Sequence, residues 1–425
     1  MSIISVKNAG PLSGSMTVSG SKNAVLPLLA ATLLCEEECI INEAPDLKDV
    51  EIMCAILRSF GAEVCFDKQE KIVRVKAANI TTNEAETELV CKMRASIVTM
   101  GPILARTGRA KFPLPGGCAI GDRPIDLHLK GFVALGADVE MSEDETGTGS
   151  VSAEAKRLSG GEIYLDTPSV GATQNIMMAA VLADGVVIIE NAAQEPEVVD
   201  LANFLNKMGA KIKGAGTDII KIEGVTKLRG AVHGVIPDRI EAGTYMLAAA
   251  ITRGDLTIEN ALAHHVKPVI AKLRETGAIV TESGDAIRVK ADKGILRSTD
   301  IKTLPYPGFP TDMQPQFMAY LATVSGPSTI LETVFENRFM HIAELNKMRA
   351  HIMQKEERRA IVPGGSSLVG ADVTATDLRA GAALILAGLA AKGETRVADI
   401  YHIERGYEDI CGKLRRVGAD LTKKQ

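Results

Sequence analysis

ATDLRAGAALILAGLAAKGETRVADIYHIERGYEDICGKLRRVGADLTKK, residues 375–424, contains one whole structural unit. A short polar loop ends at Arg379 and opens into AGAALILAGLAA, a helix apolar nearly all round. Such a helix must be buried on every side. TRVADI reads as a short strand, and ICGKLRRV as a second helix with one apolar face. That helix runs out through Gly418-Ala419 into a last strand. A glycine is the expected helix stop there, because a left-handed residue with a Cβ would clash.

Working outward, the same Gly-Ala end recurs at Gly61-Ala62, Gly136-Ala137, Gly209-Ala210 and Gly277-Ala278, with Arg349-Ala350 as a degenerate copy. Successive spacings are 75, 73, 68, 72 and 69 residues. A period this regular means one supersecondary unit used six times. The all-apolar helix recurs as NAVLPLLAATLL, ASIVTMGPILA, ATQNIMMAAVLA, AGTYMLAAAIT and MQPQFMAYLAT. Three copies per lobe is the natural division. The first lobe is expected over 22–236 and the second over 1–21 plus 237–425, with hinge strands near 20–22 and 235–237. Residues 1–20 precede the first helix and have no partner in their own lobe, so they should complete the second lobe's sheet.

Composition excludes several classes. At 425 residues the chain is too long for one core. A net charge of −5 leaves no nucleic-acid footprint. The longest apolar run, Ala380 to Ala391, is 12 residues, against the roughly 20 needed to span a bilayer. MSIISVKNAG lacks the basic start and apolar segment of a signal peptide, and seven cysteines without paired spacing fit a reducing cytoplasm. Cys35 and Cys39 in CEEEC read as buried thiols at a helix end, since no second Cys/His pair follows at zinc spacing. His264 and His265 are adjacent and should diverge. No metal and no cofactor is expected.

The loop before each buried helix carries the chemistry. Counting back from the Gly-Ala pair, it holds Lys22, Arg94, Val170 in Ser-Val-Gly, Arg239, Asp312 and Arg379. One position thus carries four cations, one Ser-Val-Gly turn and one acid. A helix N-terminus already offers free N–H groups and partial positive charge, so added Lys or Arg makes an anion site. Arg239, beside its own Asp238 and Glu241, should be the structural one. A second loop, thirteen residues before the Gly, holds Lys48, Arg123 and Arg405. Arg123 lies in LPGGCAIGDRPIDLH, whose glycines and prolines exclude a helix or central strand. Cys118 stands there, and a neighbouring cation favours its thiolate. Asp312 among cations suits a general base; its competing reading is an N-cap for MQPQFMAYL.

GSKNAVLP, MRASI, LPGGCAIGDRPIDLH, SVGAT, PDRIEAGT, YPGFPTDMQ, ETVFENRF, ATDLRAGAALILAGLAA and HIERGYE, in this order, resemble the UDP-N-acetylglucosamine enolpyruvyl transferases. The resemblance implies an α/β fold: a two-lobed inside-out α/β barrel of six βαβαββ repeats, three per lobe, around buried parallel helices. It implies transfer of the enolpyruvyl group of phosphoenolpyruvate to the 3′-hydroxyl of UDP-N-acetylglucosamine, an early step of peptidoglycan synthesis. By matching motif, Lys22, Asn23, Arg123, Arg379 and Arg405 would bind phosphoenolpyruvate. Asn23, Arg94, Arg123, Pro124, Ile125, Asp126, Leu127, Ser169, Val170, Gly171, Asp312 and Val334 would bind the sugar nucleotide. Cys118 would donate a proton to the substrate methylene and form a covalent adduct, and Asp312 would take the proton of the 3′-hydroxyl. Small-molecule substrates, and neither nucleic acid nor membrane, are the implied partners.

Two alternatives remain at this level. A 3-phosphoshikimate 1-carboxyvinyltransferase shares donor and fold, but its family lacks the Cys-bearing PGGC loop. A non-catalytic UDP-sugar-binding homologue would lack turnover.

Overall fold

The computed structural model describes residues 2–8, 10–114, 124–143, 149–292 and 294–424. Two compact units divide the chain. Among the described residues, one comprises those between Gly20 and Ile236, and the other those up to Ser19 together with those from Pro237 onward. Each has a hydrophobic core of its own.

The helices at the centre of each core are those the apolar runs predict. Lys22–Ala31, Val170–Ala180, Arg239–Ile251, Gln314–Leu321 and Leu378–Ala390 are buried along nearly their whole length. The second copy differs: Arg94–Thr99 is a 3₁₀ turn and the α-helix begins only at Met100. Pro102 sits in that first α-helical turn, where its missing N–H is harmless. Amphipathic helices such as Lys48–Ser59 and Pro196–Lys207 pack one face on the core.

The strands do not close into a barrel among the described residues. They form six separate sheets, five of four strands and one of three. The physical reason is in the pairing. In every four-stranded sheet, a strand following a buried helix has a parallel neighbour on one side and an antiparallel pair on the other. Each such sheet then ends in two edge strands, with no further strand on either edge among the described residues. In the three-stranded sheet a single parallel bridge, Glu84 to Lys111, stands where the parallel neighbour would be.

Two strands are exchanged relative to chain order. Ser13–Thr17 lies just before the helix at Lys22, yet pairs in parallel with Asp255–Glu259. Val232–Gly234 lies just before the helix at Arg239, yet pairs in parallel with Glu38–Asn42. Ile3–Lys7 inserts between Glu394–Ala398 and Asp420–Lys424. Each connecting segment is tied down where it arrives: Ser21 N donates to Ile236 O at 2.7 Å, and Asp238 N donates to Ser19 O at 2.9 Å.

Helix stops behave as the Gly-Ala ends predict. Gly61, Gly136, Gly209, Gly277 and Gly418 have φ between 86° and 107°. Arg349 takes the same left-handed conformation, φ 66°, without glycine's freedom. The stop is kept, and Arg349 bears the strain.

Candidate active site

In the Gly20–Ile236 unit, three helix starts carry the expected groups. Ser21 caps the helix at Lys22, its Oγ accepting from Ala24 N at 3.3 Å. Lys22 Nζ lies 2.9 Å from Asp49 Oδ2; the lysine side chain is 12% exposed and the aspartate 1%. A buried carboxylate therefore fixes a cation whose side chain is the more exposed of the two. Asn23 is half-buried beside it. Lys48, by contrast, forms an exposed pair with Glu51 at 3.0 Å.

Arg94 opens the 3₁₀ turn and is half-buried. Ser169 caps the helix Val170–Ala180 by accepting from Ala172 N at 3.3 Å. The 3₁₀ turn packs against both this helix and the one at Lys22. Pro124 and Asp126 are exposed, Ile125 is buried and Leu127 partly so, all at the start of the helix Asp126–Ala134. Cys118 and Arg123 lie outside the described residues.

One residue absent from the sequence-derived set links these parts. His128 is buried, with Nδ1 2.9 Å from Asn175 Nδ2. Asn175 Oδ1 accepts from Gly101 N at 2.7 Å, and Nδ2 also donates to Ile97 O at 2.9 Å. The amide orientation is thereby fixed, so Nδ1 of His128 must accept and Nε2 must carry the hydrogen. A Cβ added at Gly171 would come within 3.4 Å of that Nε2, so the Ser-Val-Gly turn lies on the histidine ring. Burial, reinforced by the charge of Arg94, lowers the His128 pKa to about 4 and keeps it neutral. The signal was present in PIDLH, but a lone histidine on an apolar helix reads as core.

In the other unit the arrangement inverts. Asp312 lies in a 3₁₀ turn, Thr311–Met313, ahead of the helix Gln314–Leu321. Its side chain does not cap that helix, contrary to the N-cap reading. Instead Oδ1 accepts from Arg338 Nη2 and Oδ2 from Arg379 Nη2, each at 3.1 Å. Both arginine side chains are 2% exposed, while Asp312 is 27% exposed. Arg379 begins the helix Leu378–Ala390, where Asp377 accepts from its backbone N–H at 2.7 Å. Its guanidinium stands over the Tyr407 ring at 5.5 Å. Burial opposes that charge, but Asp312, Tyr407 and Asp238 outweigh it and hold Arg379 firmly protonated. Arg379 Nε and Nη1 and Arg338 Nε have no hydrogen-bond partner among the described residues. Two buried cations thus share one carboxylate and keep donors to spare.

Arg338 was missed although ETVFENRF was singled out, because a sequence does not show which of its charges turns inward. Glu332, buried in the same motif, accepts from Thr303 Oγ1 at 2.8 Å, Val334 N at 2.9 Å and Thr311 Oγ1 at 3.0 Å. It ties the Val334 segment to the turn bearing Asp312. Gln316 Nε2 donates to Asp312 O at 2.9 Å and to Tyr407 Oη at 3.2 Å. Arg405 follows the short helix Tyr401–Glu404 and is half-buried.

One expectation is corrected here. Of the acids beside Arg239, both have structural duties. Asp238 caps the helix by accepting from Ile240 N and Glu241 N, and Glu241 binds Lys413 at 2.7 Å. Arg239 stands over the Tyr306 ring at 5.7 Å. His264 and His265 do not diverge: in a 3₁₀ turn their rings meet edge-on, 4.3 Å between centroids. A cavity of about 570 Å³ bordered by Ile301, Lys302, Phe309 and Arg359 contains none of the residues assigned above. No cluster of three or more metal-ligating side chains exists among the described residues, and no helix is long and apolar enough to cross a membrane.

The family model described as EPSP synthase (3-phosphoshikimate 1-carboxyvinyltransferase) matches residues 6–414. The chain is 57% identical to UDP-N-acetylglucosamine 1-carboxyvinyltransferase 1 of Caldanaerobacter subterraneus subsp. tengcongensis, covering 99% of both chains. It is 58% identical to UDP-N-acetylglucosamine 1-carboxyvinyltransferase 2 of Carboxydothermus hydrogenoformans, covering 97% of both. Among solved structures, the enolpyruvyl transferase NikO from Streptomyces tendae matches with TM-score 0.88 at 25% identity, over 100% of this chain and 99% of that one. An EPSP synthase from Acinetobacter baumannii matches with TM-score 0.77 at 18% identity over the full length of both, a likeness of fold alone.

Proposed function

The chain belongs to the EPSP synthase family, and on that premise we propose that it transfers the enolpyruvyl group of phosphoenolpyruvate to the 3′-hydroxyl of UDP-N-acetylglucosamine, releasing phosphate. Full-length relatives at 51–58% identity bear the UDP-N-acetylglucosamine 1-carboxyvinyltransferase name, which favours this acceptor over shikimate 3-phosphate. The fold reading that accompanies it is six βαβαββ units, three to each half of the chain.

The observation that carries the mechanism is Asp312 between two buried guanidiniums with unused donors. Arg379, with Arg405, takes the phosphoenolpyruvate carboxylate: Nε and Nη1 of Arg379 remain for it after Asp312 is bonded. Lys22, Arg123 and Arg405 hold the phosphate, with Asn23 beside Lys22. Asn23, Arg94, Arg123, Pro124 to Leu127, Ser169 to Gly171, Asp312 and Val334 hold the sugar nucleotide. His128 underlies the Ser-Val-Gly turn and fixes its height.

Cys118 transfers a proton to the methylene carbon, leaving positive charge on the carbon bearing the phosphate ester. The 3′-oxygen attacks that carbon as its proton passes to Asp312. The resulting tetrahedral ketal expels phosphate and gives up a methyl proton, leaving the enolpyruvyl ether. Fixed cations stabilise the phosphate and carboxylate through these steps without reorganising, which is where such sites gain most of their rate.

Phosphate release from phosphoenolpyruvate tests the reading. It is expected with UDP-N-acetylglucosamine and absent with shikimate 3-phosphate or free N-acetylglucosamine, because binding the remote diphosphate aligns the hydroxyl. Release with shikimate 3-phosphate would transfer the assignment to that reaction. Binding of UDP-N-acetylglucosamine without any release would mean a non-catalytic homologue.

A further inference from the structure

Cys35 and Cys39 play no part in this chemistry, yet their Sγ atoms lie 3.5 Å apart. Both are buried, and both belong to the Gly20–Ile236 unit. Cys35 follows the 3₁₀ turn that ends the first buried helix; Cys39 stands in the strand Glu38–Asn42. Between them Glu36, Glu37 and Glu38 are exposed, so the sulfurs lie just beneath a short surface loop. The loop is tied at its surface, where Gly230 N donates to Glu37 Oε2 at 3.0 Å and Arg74 faces Glu38 at 3.6 Å, and from beneath, where Cys35 Sγ lies 3.4 Å from Glu37 O. The guanidinium of Arg106, which donates to Leu33 O at 2.9 Å, supplies a positive charge nearby. Cys54 is also buried, but has no sulfur partner among the described residues, and Cys65 and Cys91 are exposed.

We propose that Cys35 and Cys39 form a vicinal dithiol that a small hydroperoxide closes reversibly to a disulfide. The geometry requires the sulfurs to approach from 3.5 Å to bonding distance, about 2 Å. A shift of that size lies within the reach of a three-residue loop. Cys35 is the attacking sulfur. The hydrogen bond with Cys39 lowers its pKa against burial, with lesser help from the Glu37 backbone and Arg106, while that of Cys39 is raised by the same bond and by burial. The Cys35 thiolate attacks the peroxide oxygen, the O–O bond breaks, and a sulfenic acid forms as alcohol or water leaves. Cys39 then attacks the sulfenic sulfur, and the S–O bond breaks to release water. Two thiols are oxidised and one peroxide is reduced. The acidic loop disfavours anionic oxidants such as glutathione disulfide and leaves uncharged peroxides the preferred class.

The test is peptide mapping of the whole protein after hydrogen peroxide treatment and digestion without reduction. Trypsin leaves both cysteines in one peptide, residues 23–48. That peptide is expected to become lighter by two hydrogens, at lower peroxide than oxidises the exposed Cys65 and Cys91, and to recover fully with dithiothreitol. In Cys39→Ser the peptide should instead trap dimedone at Cys35. Glutathione disulfide should act at least tenfold more slowly than peroxide. If peptide 23–48 kept both free thiols while Cys65 and Cys91 were oxidised, the proposal would be overturned. Oxidation of Cys35 straight to sulfinic acid in the unmodified chain would overturn it as well, since Cys39 would then not be resolving.

Discussion

Lys22 with Asp49, and Asp312 with Arg338 and Arg379, are the same kind of pair built with opposite polarity. In the first, the carboxylate is buried and the ammonium reaches outward. In the second, the guanidiniums are buried and the carboxylate reaches outward. The more buried partner sets the geometry of the more exposed one. On the proposed mechanism, the first construction would present a cation to a phosphate and the second a base to a hydroxyl.

Removing the outward member of the second cluster should have the largest effect. Asp312→Asn is expected to lower kcat by about 10²–10⁴-fold, the usual range for a lost general base. It should also cost about 3 kcal/mol in stability, because two buried guanidiniums lose their counter-charge. The double variant Arg338→Met/Asp312→Asn should recover part of the stability in urea unfolding, since one of the two unpaired guanidiniums is removed, but none of the turnover. Joint recovery of both would make the carboxylate structural and dissolve the contrast.

Acid should strike both units through histidines that differ in partner. His128 and His341 each have a pKa lowered to about 4, burial being the main cause in both. Unfolded, each titrates near 6.5. Their stability contribution is full above about pH 6.5 and is lost as pH falls toward 4, about 3 kcal/mol for each such buried group. His128 is bonded to Asn175, while both ring nitrogens of His341 lack a partner among the described residues. His128→Leu should therefore destabilise at neutral pH and His341→Leu should not, and urea midpoints at pH 7 and pH 5 decide it.

Asp49→Asn removes the inward member of the first pair. The expected loss is about 2 kcal/mol, between the values for exposed and buried pairs. KM for phosphoenolpyruvate should rise with kcat little changed, as Lys22 is left charged but unaimed. A fall in kcat at unchanged KM would mean that Asp49 does more than position. The smallest effect sharpens a difference between repeats. Arg349→Gly should stabilise by about 1 kcal/mol, since glycine removes the left-handed strain at φ 66°, read as a small rise in urea midpoint.

The buried helices and the helix stops could be read from the chain because each rests on local physics. An all-apolar helix must be enclosed, and a left-handed stop must suit glycine. The placement of four loop cations, the Ser-Val-Gly turn and Asp312 at helix starts was legible for the same reason: a fixed offset from a helix start is a one-dimensional fact. Arg338, His128 and Glu332 were not found, since a buried polar residue is recognised by what surrounds it.

The sequence by itself determined a mixed α/β chain with all-apolar helices, which loops carry charge, and that the motifs resemble one family. Tertiary structure alone decided which member of each ion pair is buried. It also decided that Glu241 answers Lys413 rather than Arg239, and that strands 13–17 and 232–234 exchange sheets. The reason is common to all three. Burial and pairing depend on groups tens to hundreds of residues apart, and only the folded chain brings those groups within the few ångströms over which they act.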